Sequence, residues 1–184
     1  MGNKKRMITL EPAREEDLQD FKKKIQEAFG IAVAENFGEQ DGPIPDDQEL
    51  EEVFHAPDAV VYHILYGSEK IGGAVLSIYP ATQHNSLDFF FISPEYHNKG
   101  FGQAAWKAIE EKYPDTKVWG TVTPYFEKRN IHFYVNRCGF KIVEFWNKYY
   151  PAPHESLEQA GSGLPVGCDE SFYFEKVMKH RLSV

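Results

Sequence analysis

Apolar positions along this chain alternate between two spacings. Leu18, Phe21, Ile25, Ala28, Phe29 and Ala32 recur three or four residues apart, which is the spacing of one helix face. Glu15, Glu16 and Asp17 fall in the first turn of that helix, where the macrodipole favours acids. A short strand is expected just before it, over residues 7–10. Residues 36–48 hold Gly38, Gly42, Pro43 and Pro45 and read as a loop. Asp46 or Asp47 is then placed to cap a second, short helix that runs through Phe54.

Strand spacing follows. Residues 59–66 and 70–79 are rich in Val, Ile, Leu and Tyr, and Gly67-Ser68-Glu69 joins them as a hairpin turn. Gly72-Gly73 inside the second strand implies a bulge or a close backbone approach. Residues 87–92 form a near-continuous apolar and aromatic run, the pattern of a buried strand, which Ser93-Pro94 stops. Gly100 and Gly102 then open a helix with Phe101, Ala105, Ala108 and Ile109 on one face. Residues 117–123 alternate Val118, Gly120 and Val122 against Trp119, Thr121 and Thr123, and Pro124 ends them. A helix is expected over 129–137, terminated by Gly139. A long aromatic strand follows over 140–150, then a loop over 151–167. The last strand, over 170–178, is antiparallel to its predecessor if the two form a hairpin. The order is β-α-α-β-β-β-α-β-α-β-β.

The chain has 184 residues, which fits one domain over 1–184 with a real core. Its 20 basic and 28 acidic residues give a net charge of −8, which argues against a nucleic-acid surface. No apolar run is long enough to span a membrane, and no apolar segment follows the basic N-terminus as a signal peptide requires. Position 6 is Arg, which rules out myristoylation after Met1-Gly2. The two cysteines, Cys138 and Cys168, have no metal-ligand spacing and read as free thiols in a reducing compartment. A cytoplasmic protein without a metal is expected. Between Gly30 and Glu69 there is no Lys or Arg, while eight acids lie between Glu35 and Glu52. That stretch is either a solvated surface or an acidic wall for a cationic partner.

The junction at 92–103 carries the chemistry. A helix N-terminus offers unpaired N–H groups and the positive end of the macrodipole. Glycines let a ligand approach the backbone, and Lys99 adds a positive charge at the mouth. These features describe a site for a phosphate or pyrophosphate. It is not a dinucleotide fingerprint, since the third glycine and the downstream acid are missing.

His97-Asn98-Lys99-Gly100-Phe101-Gly102, directly after Ser-Pro-Glu-Tyr, resembles the Gln/Arg-x-x-Gly-x-Gly/Ala signature of the GNAT (GCN5-related) N-acetyltransferases, with His97 in place of Gln or Arg. The element order is similar to that family's over nearly the whole chain. The resemblance implies a mixed α/β (α+β) fold with a mostly antiparallel central sheet, splayed between strands four and five and flanked by about four helices. It implies acetyl-CoA as co-substrate, with its pyrophosphate over residues His97, Asn98, Lys99, Gly100, Phe101, Gly102 and Gln103. The pantetheine arm would enter the splay and pair with the main chain of Phe91 and Ile92.

A second segment, from Arg129 to Phe140, looks like the family's Asn-x-x-Ala-x-x-x-Tyr-x-x-x-Gly-Phe stretch. Here Tyr134 lies five residues before Gly139 rather than four, and one extra residue at the helix end would restore its place. The resemblance implies that Tyr134 protonates the leaving thiolate and that Asn130 and Phe133 contact the cofactor. Asp88 stands where family members often place a carboxylate, as a base acting through water or as an ordinary strand residue. His63, His84 and His132 have suitable intrinsic pKa values, and an amine that arrives neutral needs no base at all. The implied reaction is direct attack by a primary amine, small and cationic if the acidic stretch guides it. A protein lysine or N-terminal acetyltransferase and a non-catalytic acyl-CoA-binding regulatory module are the other readings. In the family, segments like 151–167 build homodimer contacts or edges of the acceptor site, although the Pro and Gly content here fits a plain loop equally.

Overall fold

The computed structural model describes residues 7–153 and 169–179. The expected loop at 151–167 and Cys168 lie largely or wholly outside them. The elements are β1 (Ile8–Pro12), α1 (Leu18–Phe37), α2 (Asp47–Phe54), β2 (Ala59–Tyr66), β3 (Glu69–Ser77), β4 (His84–Ile92), α3 (Phe101–Lys112), β5 (Val118–Pro124), α4 (Lys128–His132), β6 (Lys141–Trp146) and β7 (Ser171–Val177). This is the expected order, in a mixed α/β fold whose strands pair mostly antiparallel. Two compact units divide at Thr116 and Lys117. β4 belongs to the first unit and β5 to the second.

In the first unit β1 to β4 form an antiparallel meander in sequence order. Glu15 to Asp17 form a 3₁₀ turn just before α1 rather than its first turn. α1 runs on to Phe37 because Asn36, whose amide donates to Ala32 O at 2.8 Å, still fits the helix, and Gly38 at φ 80° ends it. Asp46 is the cap of α2 and accepts from Glu49 N at 2.8 Å. The core on this face joins Leu18, Phe21, Ile25, Leu50, Phe54, Val75 and Phe91. Phe21 sits edge-on to Phe54 at 5.8 Å and to Phe91 at 5.5 Å. β2 has four successive buried residues, Tyr62 to Leu65. His63 turns to Phe21 of α1, at 5.6 Å between rings. Tyr62 turns the other way and bonds Tyr113, just past α3, at 2.7 Å.

Both readings of the glycine pair in β3 hold. Register slips between Ile64↔Gly72 and Leu65↔Lys70, so Ile71 is the extra residue of a bulge. A Cβ on Gly73 would lie 2.3 Å from the Phe21 ring, and one on Gly72 would lie 2.2 Å from the Phe91 carbonyl oxygen. Only glycine lets α1 and β4 come this close.

In the second unit β7 lies between β5 and β6, antiparallel to both. Trp119, Thr121 and Thr123 are buried, as are Tyr134, Phe140 and Phe174, with Tyr134 packed on the two phenylalanine rings. The aromatic strand is shorter than expected. It stops at Trp146, because Asn147 and Tyr150 bond each other across a tight turn. The helix expected over 129–137 is also not one helix. α4 ends at His132 and a π-helical turn occupies Phe133–Arg137.

Candidate functional site

β4 delivers the chain to the glycine junction. Ser93 N–H donates to Ile71 O at 2.8 Å, so the main chain there turns toward β3. Backbone groups alternate sides along a strand. Phe91 therefore also faces β3, and Ile92 presents its N–H and C=O to the opposite edge. Of the two residues expected to meet an extended arm, Ile92 has the outward main chain. Pro94–Tyr96 then makes a 3₁₀ turn, closed by His97 N–H on Pro94 O at 3.1 Å. Asn98 at φ 60° and Gly100 at φ 79° take the left-handed conformation and reverse the chain into α3. Among the described residues, no atom beyond its own chain neighbours lies within 4 Å of where a Gly100 Cβ would stand. This backbone loop, the candidate cradle, thus opens to free space at the start of a twelve-residue helix.

The side chains of this loop face the protein. The His97 imidazole bonds the carbonyl of Ile92 through Nε2. Lys99 folds back, with Nζ donating to Glu95 O at 2.8 Å and lying 5.6 Å from the centre of the Tyr96 ring. Phe101 packs on Tyr66 at 4.6 Å and on Tyr96 at 6.0 Å. Gly102 is half-buried and Gln103 exposed. Trp106, buried on the core face of α3, is absent from the face read off the sequence.

Asp88 sits at a bulge in β4, where register slips between Val75↔Phe89 and Leu76↔Leu87. Ser77 donates to its carboxylate at 2.6 Å and Ser86 donates to the other oxygen. The two hydroxyls fix its orientation. His84 and His132 are exposed. His63 is buried, with Nε2 at 3.3 Å from Asp17 Oδ2 and 3.2 Å from Lys70 Nζ. Burial pushes its pKa down, and Lys70 adds to the effect against the pull of Asp17. Asp17 is held down at about 2 by the Arg14 N–H and by Lys70.

The acidic stretch is partly neutralised from α1. Lys22, buried, reaches Glu51 at 2.8 Å and Asp47 at 3.9 Å. Burial and the neighbouring Asp46 and Glu52 push Glu49 up. The C-terminal half of α1 and the loop after it line a cavity of about 280 Å³ bordered by Val33, Gln40, Pro43 and Ile44, with Glu39 at its rim.

In the second unit the π turn absorbs the extra residue before Gly139. Cys138 N–H bonds Phe133 O at 3.0 Å, one residue further back than an α-helix allows. Gly139, at φ 82°, ends the turn. Tyr134 is 6% exposed, between Phe140 at 5.6 Å and Phe174 at 6.0 Å. Burial raises its pKa well above the ordinary phenol range, Cys138 and Glu127 add to this, and a hydrogen bond with Thr121 opposes it. Asn130 is half-buried on α4, and the Phe133 ring meets Tyr134 at 5.3 Å. Glu127, where the family pattern has Asn, is buried at the start of α4.

The sequence reading missed one constellation in this unit. Trp146 stacks on Tyr173 at 5.3 Å with ring planes 9° apart. Its indole N–H donates to Glu144 at 2.6 Å, and the Tyr173 hydroxyl donates to Glu175 at 3.1 Å. Gly120 leaves room, since a Cβ there would lie 2.8 Å from that hydroxyl. Burial, Glu175 and Glu144 push Tyr173 up to about 12. The strand period puts Glu144 with Trp146 on one face of β6 and Tyr173 with Glu175 on one face of β7, but only the pairing that sets Glu144 opposite Tyr173 brings those faces together.

Residues 18–140 match the Acetyltransferase (GNAT) family, a span that includes the cradle and Tyr134. The chain belongs to that family. It is accordingly an acyltransferase. The uncharacterized protein YrkN of Bacillus subtilis (strain 168) is 56% identical to it over 176 residues, 95% of each chain. Among solved structures, a Bacillus subtilis acetyltransferase in complex with CoA is 18% identical with a TM-score of 0.62, covering 95% of this chain and 100% of its own. The spermidine N-acetyltransferase of Vibrio cholerae, with CoA and spermine, is 13% identical with a TM-score of 0.66, over 96% and 99%. The ribosomal-protein-S18-alanine N-acetyltransferase of Escherichia coli is 12% identical with a TM-score of 0.63, over 97% and 99%. At such identities the likeness is one of fold. Among the described residues no helix is long and apolar enough to cross a membrane, and no group of three or more His, Cys, Asp or Glu could hold a metal ion.

Proposed function

We propose that this chain, acting as one domain, moves the acetyl group of acetyl-CoA to a primary amine by direct attack in a ternary complex. The observation that carries this reading is the open backbone loop from Ile92 to α3. Two left-handed residues, an outward strand end and a helix N-terminus meet there. These groups suit a pyrophosphate followed by an amide-bearing arm. The amine nitrogen attacks the thioester carbonyl carbon, the C–S bond breaks, and the thiolate takes a proton from the Tyr134 hydroxyl. A phenol is protonated across the neutral range, as a proton donor requires, and the burial that raises its pKa works against the transfer. The proton lost by the amine passes to water, with Asp88 as a relay in its serine-fixed orientation.

The acceptor proposed is a small cationic amine. Glu39 and its neighbours on the α1–α2 loop, and separately the Trp146–Tyr173 plates with Glu144 and Glu175, both favour a cation beside apolar or aromatic carbon. A Lys-rich peptide presents the same ammonium, and the fold is shared with enzymes of both kinds.

Thermal unfolding with acetyl-CoA, CoA and ATP tests the cofactor. A ligand at ~100 times its Kd stabilises by about 2.7 kcal/mol. A shift with both CoA species but not ATP supports the reading; no shift with any removes it. Thiol release across amine and peptide panels then separates the acceptors.

A further inference from the structure

We propose that His97 is a gate on the pantetheine side of the cradle: its imidazole holds the carbonyl that the arm must use, and the cofactor displaces it on binding. The proposal rests on the acetyl-CoA reading above. It starts from the direction of the main chain. Ser93 faces β3, so the Ile92 carbonyl points to the opposite edge of β4. An outward carbonyl at a strand end is the first acceptor that an extended amide-bearing chain would meet there. That oxygen already accepts from His97 Nε2.

The contact follows from how the loop is built. The 3₁₀ turn at Pro94–Tyr96 folds His97 back over the strand end that it has just left. A side chain five residues on thereby reaches Ile92 O, and Lys99 is likewise spent on Glu95 O. The residue that opens the phosphate loop therefore bonds protein rather than offering its ring to an anion. A carbonyl oxygen has two lone pairs, and an arm amide that approaches Ile92 O along the one that His97 uses must replace this donor, so part of the arm's hydrogen-bond energy goes into releasing the ring. The adenine and phosphate half of the cofactor makes no such demand. His97 is thus a positioning residue that weights recognition toward the phosphate end and holds the arm's place while the site is empty.

The test compares CoA with 3′,5′-ADP, which lacks the arm, by calorimetric titration of the wild-type chain, His97→Ala and His97→Gln. In His97→Ala the ratio of CoA affinity to 3′,5′-ADP affinity should rise roughly fivefold, the worth of one net hydrogen bond. In His97→Gln, whose amide still donates, the ratio should stay near the wild-type value. Equal losses for both ligands in His97→Ala would mean that the ring only braces the loop or contacts phosphate, and would overturn the gate; so would an unmoved ratio. A second readout needs no variant. The ring ¹⁵N resonances of His97 in the wild-type chain should shift on adding CoA and stay in place with 3′,5′-ADP, and no shift with CoA would also overturn it. A wild-type chain that binds neither ligand removes the acetyl-CoA reading and the gate together. Binding of CoA with an unmoved ratio removes the gate alone.

Discussion

The cradle after β4 and the turn that carries Tyr134 are built in opposite ways. The cradle is backbone: Asn98 and Gly100 set its shape, and the His97, Lys99 and Phe101 side chains all turn back on the protein. The Tyr134 region is a side chain held by packing. Its hydroxyl is placed by Phe140, Phe174 and Thr121, and the backbone yields to suit it by taking a π turn. A backbone site tolerates many side chains but few changes of φ. A side-chain site tolerates changes of backbone but not of the one group. Substitutions in the two regions should therefore fail differently.

The largest effect is expected at Tyr134. Tyr134→Phe keeps the ring and its packing and removes the hydroxyl, so turnover should fall by about 10²–10⁴-fold, the range for a lost general acid. Acetyl-CoA affinity should hardly move. Steady-state kinetics beside a CoA titration would check this, and unchanged turnover would take Tyr134 out of the proton step.

Next comes the support beneath the cradle. Gly73→Ala places a methyl 2.3 Å from the Phe21 ring and 2.8 Å from the Phe91 ring, so α1 or β4 must move. Overpacking of this kind costs about 1–3 kcal/mol, which urea unfolding would register. CoA affinity should fall with it, because Phe91 precedes the outward Ile92. A loss of stability with full CoA affinity would separate the cradle from the core below it.

Gly100→Val probes the cradle itself. Protein atoms leave the Cβ free, so the penalty lies in φ 79°, which a β-branched residue scarcely adopts. A left-handed residue of this kind costs roughly 1–2 kcal/mol, and CoA affinity should drop on the order of tenfold. Wild-type affinity in this variant would show that the loop backbone does not bind the cofactor.

The backbone region was also the more legible of the two in the sequence. Glycines and a proline at fixed offsets announce a turn into a helix, and that reading needs only local physics. The element order followed from the same punctuation. Side-chain direction did not: nothing in His-Asn-Lys-Gly says that the imidazole returns to Ile92, because that depends on the 3₁₀ turn that Pro94–Tyr96 makes before it. Tyr134 shows the converse limit. Its offset from Gly139 counts one residue too many, and the sequence can register the surplus but not that a π turn absorbs it. Trp146 and Tyr173 were hidden because they stand far apart in the chain. Only the pairing of β6 with β7 brings them together, as a diagonal pair in which Tyr173 lies opposite Glu144 and Trp146 opposite Ser171.

The smallest effect concerns His63, behind Phe21 and Phe91 in the unit that holds the cradle. Burial lowers its pKa, so the folded chain keeps it neutral at a pH where the unfolded chain, near the ordinary 6.5, has taken a proton. The unfolded state then binds more protons, and stability rises with pH across that interval. The contribution is complete above about 6.5 and fades as pH falls below it. Asp17 has the same sign at lower pH. It is held at about 2 against an ordinary 3.8, so its contribution is lost between those values on acidification. His63→Gln should flatten the dependence between about pH 6.5 and the acid limb near 4 while leaving the limb below. Urea midpoints of the two chains across this range would show it. Because Tyr134 lies in the other unit, the Tyr134→Phe chain should keep the wild-type dependence. A flattened curve in Tyr134→Phe, or an unchanged one in His63→Gln, would mean that the pH response does not originate at the Asp17–His63–Lys70 cluster.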